Sequence, residues 1–102
     1  MNKTFYVVED HSLMRQGIMG FLAEHSDFEC IGYSSNARDF FDAMRSQGEG
    51  GLPSVLITDL NIEGSVENGL SLIKNCRSAF PSVRIVVYSM HSAGSIVSGA
   101  LE

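Results

Sequence analysis

A chain of 102 residues has room for one domain and one core. Its 44% hydrophobic and 19% charged residues strike a globular balance, which excludes a disordered segment. A formal charge of −5, with seven basic residues scattered singly, excludes a phosphate-backbone surface on this chain, so no direct nucleic-acid contact is expected. No apolar run approaches the ~20 residues of a membrane span. Met1-Asn2-Lys3 leads into too short an apolar patch for a secretory signal. These features predict a soluble, cytoplasmic domain without membrane contact. Cys30 and Cys76 fall in apolar segments without CxxC or metal-ligand spacing, and are read as reduced thiols.

In chain order, Thr4 to Val8 is short, β-branched and aromatic, as a strand buried on both faces should be. From Ser12 the spacing of Leu13, Met14, Ile18, Phe21 and Leu22 becomes helical, and His25-Ser26-Asp27 closes the helix. Phe28 to Tyr33 reads as a second strand. Asn36 to about Ser46 reads as a second helix with Phe40, Phe41 and Met44 inward. The run from Gln47 to Pro53 is turn chemistry. Ser54 to Thr58 is a third strand, which delivers Asp59. A polar loop is expected from Leu60 to Asn68, then a third helix from Gly69 to Phe80, stopped by Pro81. Val83 to Tyr88 is the fourth strand, and Ser92 to Glu102 is weakly helical.

Alternating strands and helices with short loops predict an α/β, flavodoxin-like, doubly wound parallel sheet built from right-handed crossovers. Ligands of such sheets bind beyond the carboxyl ends of the strands, where the strand order reverses. In a sheet ordered 2-1-3-4 the first and third strands adjoin there, so Glu9, Asp10 and Asp59 converge, with Ser89 alongside on the fourth. Three neighbouring carboxylates cannot all stay ionised without a counter-charge. Mg²⁺ suits such a site, because it takes one or two protein carboxylates and keeps several waters. Asp59, on a rigid apolar strand, can serve as a nucleophile towards phosphorus. Each acid alone could be a solvated strand end, and Ser89 alone an ordinary strand-end serine. His11 reads as a solvated helix-start histidine, and the methionines as packing residues.

The pieces "VVEDHSLMRQGI", "VLITDLN", "GLSLIKNCRSAFP" and "VRIVVYSMHS", in this order, resemble the receiver domains of two-component response regulators. The resemblance is greatest to receivers that precede a LuxR-type helix-turn-helix output. It covers the whole chain, and the ordered combination is specific although no single motif is. It implies that Asp59 accepts a phosphoryl group from a sensor histidine kinase or phosphotransfer protein. Asp10 would ligate Mg²⁺ directly, Glu9 through water, and Asn61 through its backbone carbonyl. Ser89 would be the switch hydroxyl that shifts the fourth strand and the helix after it. DNA would be reached only through an output domain, to regulate transcription. The receiver would accept phosphate without being an enzyme.

Two departures from the family pattern stand out. Ile62-Glu63 occupy the place of the usual Met-Pro, Glu63 adds a negative charge near the site, and the loop to Gly69 is longer than usual. The family's Lys, on a fifth strand, has no counterpart before Glu102. The chain is therefore expected to be a single receiver, residues 1 to 102, C-terminally incomplete, without the fifth strand and helix. The fourth strand would then be an exposed edge, through which, with its following helix, the chain could dimerise. Other readings keep the fold. One is a binding platform independent of phosphorylation, which the missing Lys favours. Another is an aspartate-nucleophile phosphatase of the haloacid dehalogenase type, which would want an acid where Asn61 stands. A flavodoxin-like nucleotide binder would need a phosphate cradle where "EDHSLM" places two anions.

Overall fold

The computed structural model describes residues 3–88 and 96–98. Five strands form one sheet in the order β2-β1-β3-β4-β5. The strands β1 (Thr4–Val8), β2 (Glu29–Ser34), β3 (Val55–Asp59) and β4 (Arg84–Tyr88) run parallel, in the expected order 2-1-3-4. Helices α1 (Ser12–His25), α2 (Ala37–Gln47) and α3 (Val66–Ala79) connect them, with a 3₁₀ turn at Glu49–Gly51. Since β1 leads outward to β2 and the chain then returns past β1 to β3, right-handed crossovers place α1 on one face and α2 and α3 on the other.

The two faces are unequal. Tyr6, Val8, Leu56, Ile85 and Val87 point into one core with Phe40 and Met44 of α2 and with Leu72, Ile73 and Cys76 of α3. Phe40 is its centre, with its ring edge-on to Tyr6 at 5.0 Å and to Phe41 at 5.1 Å. Burial pushes the Cys76 thiol up to about 11, and neither Cys76 nor Cys30 forms a disulfide. On the opposite face Phe5 and Val7 are buried, yet α1 contains no buried residue. The row Met14, Ile18, Leu22 is half-buried, whereas Leu13 and Phe21 are 83% and 61% exposed. The apolar stripe is thus narrower than expected: Arg15 and Met19 share the partial burial of that row, while Leu13 and Phe21 stay outside it.

Two boundaries differ in an informative way. Helix α3 starts at Val66, not at Gly69, because Ser65 caps it by accepting a hydrogen bond from the Asn68 N–H at 3.2 Å. The chain reaches that cap through a tight turn, in which Ile62 and Ser65 bond each other and Glu63 and Gly64 adopt φ of 54° and 78°. The expected helix over 92–102 is replaced, over Ile96–Ser98, by β5, which pairs antiparallel with Val86, Val87 and Tyr88. The cause is local: Ile96 and Val97 are β-branched with Gly and Ser around them, and the outer edge of β4 offers open hydrogen-bonding groups. The expectation of a fully open β4 edge is corrected accordingly. The other residues of 89–102 lie outside the described residues. Among the described residues no helix is long and apolar enough to cross a membrane.

Candidate functional site

The carboxyl ends of β1 and β3 bring the sequence-predicted acids together. Glu9 follows β1 directly and is completely buried, and Asp59, the last residue of β3, is nearly so. Ligand atoms of Glu9, His11 and Asp59 lie within 4.8 Å of one another. Asp10 stands at the rim of this group: its Oδ2 accepts a hydrogen bond from the Glu63 N–H at 3.2 Å. Asp59 Oδ1 accepts one from the Asn61 N–H at 3.1 Å, so Asn61 touches the site through its backbone. Glu63 also enters through its amide.

Burial raises the Asp59 carboxyl above its ordinary value, and the charges of Glu9 and Asp10 push in the same direction against the Asn61 N–H bond. The nearest counter-charge is His11. Its Nδ1 is 2.9 Å from Glu9 Oε2 and 3.3 Å from Asp10 Oδ1. The hydrogen bond to Glu9 and the charge of Asp10 raise the imidazole in turn. The His11 N–H donates to the same Glu9 oxygen at 2.8 Å. The histidine read from sequence as a solvated helix start is exposed at its outer edge but is bound to the acid pair on its inner one.

The other Glu9 oxygen is hydrogen-bonded to Tyr88, which the sequence marks only as the end of the fourth strand. The Tyr88 hydroxyl donates to Glu9 Oε1. Tyr88 ends β4 directly opposite Asp59 in the ladder, which carries its ring to the acids. Burial first, and then Glu9, push its phenol upward, so it remains a donor. A signal existed: a buried tyrosine at a strand end needs a partner for its hydroxyl, and the neighbouring strand ends supply only acids. Ser89 lies outside the described residues.

Whether these residues suit a dication can be judged from their unsatisfied capacity. Asp10 Oδ1 is screened from solvent and accepts no hydrogen bond, its one charged neighbour among the described ion pairs being the His11 ring at 3.3 Å, so it keeps capacity for a cation. Oxygen donors from Asp10 and Asp59 beside an acid-rich rim fit a hard cation such as Mg²⁺.

A doubly wound parallel sheet with an acidic cluster at the switch between β1 and β3 defines a class of α/β protein whose chemistry sits on its strand ends. Residues 5–102 match the family described as Response regulator receiver domain, and the chain belongs to that family. It is 28% identical to the nitrate/nitrite response regulator protein NarL of Escherichia coli, over 97% of this chain and 43% of NarL. It is 24% identical to the transcriptional regulatory protein DegU of Brevibacillus brevis, over 94% of this chain and 38% of DegU. The chain therefore spans less than half the length of these curated relatives. Among solved structures it is similar to the isolated REC domain of RcsB from Salmonella enterica serovar Typhimurium in the apo form. That likeness has a TM-score of 0.73 at 26% identity and covers 90% of this chain and 63% of that one. It is also similar to RcsB in a structure of two dimers bound to two parallel DNAs, with a TM-score of 0.74 at 26% identity, covering 88% of this chain and 43% of that one.

Proposed function

We propose that this receiver takes a phosphoryl group on Asp59 from a phosphohistidine of a sensor histidine kinase or phosphotransfer protein. The observation that supports this most is the placement of Asp59: buried at the end of a rigid strand, beside Glu9, and within the charge of Asp10. An Asp59 carboxylate oxygen attacks phosphorus, the P–N bond to the donor imidazole breaks, and the aspartyl phosphate remains on the chain. Each chain accepts one phosphoryl group and does not turn over as an enzyme. Asp10, Asp59 and the Asn61 carbonyl would hold Mg²⁺ directly, and Glu9 through a water. When bound, Mg²⁺ supplies positive charge to the carboxylates and to the incoming phosphoryl oxygens. Ser89 would donate its hydroxyl to a phosphoryl oxygen and pass the change along β4.

The setting is cytoplasmic, where unpaired thiols such as Cys30 and Cys76 persist. By analogy with DNA-bound RcsB, the signal would reach DNA through an output domain. Intact-mass spectrometry tests the proposal. Incubation with acetyl phosphate or phosphoramidate and Mg²⁺ should add one phosphoryl group to the chain and none to Asp59→Asn. Equal incorporation in both would refute the role of Asp59.

A further inference from the structure

Glu9 is completely buried, and both of its oxygens are already engaged. Oε2 accepts from the backbone N–H of His11 and faces its ring nitrogen, and Oε1 accepts from the Tyr88 hydroxyl. His11 lies only two residues further along the chain, so its bonds come with the local backbone. Tyr88 reaches Glu9 from 79 residues away, held in register opposite Asp59. Its carbonyl also accepts a hydrogen bond from the Leu60 N–H at 2.8 Å, one residue past Asp59. The phenol thus fastens the end of β4 to the end of β1, across the strand that carries Asp59.

A donor on a carboxylate oxygen disperses the charge that a cation would draw on, and a cation beside the carboxylate weakens its attraction for the donor. We propose that Tyr88 is a positioning residue that competes with a hard dication for Glu9, so that the Glu9–Tyr88 bond and cation occupancy of the acidic site oppose one another. The inference rests on the reading of the site as a Mg²⁺ site. Cation binding loosens the phenol from Glu9, and the last residue of β4 gains freedom. Without the cation, the phenol satisfies the Glu9 oxygen that His11 does not reach.

The chain has three tyrosines, Tyr6, Tyr33 and Tyr88, so 3-fluorotyrosine labelling should give three ¹⁹F resonances, assignable by single Tyr→Phe variants. Mg²⁺ titration should move the Tyr88 resonance and leave those of Tyr6 and Tyr33 in place. Calorimetry should show Mg²⁺ binding to Tyr88→Phe roughly three- to tenfold more tightly than to wild type. A merely structural tyrosine would weaken binding on removal. If Tyr88→Phe binds no more tightly while Asp10→Ala loses binding, the competition is refuted and the Mg²⁺ site stands. If neither wild type nor Tyr88→Phe binds Mg²⁺, the site itself is refuted. Should Tyr88→Phe fail to fold, the wild-type resonance decides: a Tyr88 signal unmoved at saturating Mg²⁺ overturns the proposal.

Discussion

Gly69 sits so close to Leu60 that a Cβ built on it would stand 1.8 Å from the Leu60 carbonyl oxygen and 2.6 Å from its carbon. The first full turn of α3 is thereby pressed onto the segment that follows Asp59. Gly69→Ala should destabilise the chain by about 1–3 kcal/mol, against the gain of a few tenths to about 1 kcal/mol usual for this exchange in a helix. Because Leu60 must move, the Asn61 N–H bond to Asp59 should loosen and Mg²⁺ affinity should fall as well. Gly17→Ala and Gly20→Ala in α1, where a Cβ meets nothing within 4 Å, should raise the melting temperature. Melts of the three variants by circular dichroism check this contrast.

The raised Asp59 carboxyl has a definite sign. The folded chain holds that proton at pH values where the unfolded chain, near the ordinary 3.8, has released it. The stability contributed by this group is therefore complete below about 3.8, falls as pH rises through the folded value, and stays lost above it. Asp59→Asn removes the cost. In the absence of divalent cations its melting temperature should exceed that of wild type at pH 7, and the difference should close on acidification. A gap that widens towards low pH would contradict the burial argument.

Mg²⁺ should stabilise the fold by binding the native chain alone. At a free concentration ten times its dissociation constant the gain is about 1.4 kcal/mol. For a domain of this size that corresponds to about 6–11 °C in melting temperature. Asp10→Ala, which removes an oxygen that accepts no hydrogen bond, should abolish the shift. Equal responses from the two proteins would mark these acids as ordinary strand ends.

Phe40 and Phe21 offer a test of the unequal faces. Phe40 is fully buried and packs on Tyr6, Phe41 and Phe80. Phe40→Ala should cost about 3–5 kcal/mol, a large share of the stability of a small domain. Phe21, mostly exposed and stacked only on His25 among the described rings, should change stability by about 0.5 kcal/mol or less when replaced by Ala. Urea titrations of the two variants give both values.

The grouping of Glu9, Asp10 and Asp59 was legible because each acid ends an apolar run, and parallel topology puts the ends of neighbouring strands at one rim. Tyr88 was not, since its aromatic ring suits a strand interior, and only the register opposite Asp59 reveals where its hydroxyl goes. The start of α3 was missed for a similar reason. Gly69 looks like a helix boundary in one dimension, but its small size serves a contact with Leu60, and Ser65 is the true cap. Residues 96–98 were misread because weak helical spacing carries no information about an unpaired strand edge nearby.

The uneven burial of the two faces bears on how the chain opens. With nothing fully buried on α1, unlike α2 and α3, that helix is the least anchored of the three described helices, and it can detach while the core beneath α2 and α3 stays closed. In deuterium exchange its amides should lose protection ahead of the global transition, as a separate low-energy opening. Since His11 and Arg15 hold Glu9 from the start of this helix, each such opening also uncovers the acid pair, and the lifetime of the site is set by a helix that holds on with half-buried side chains alone.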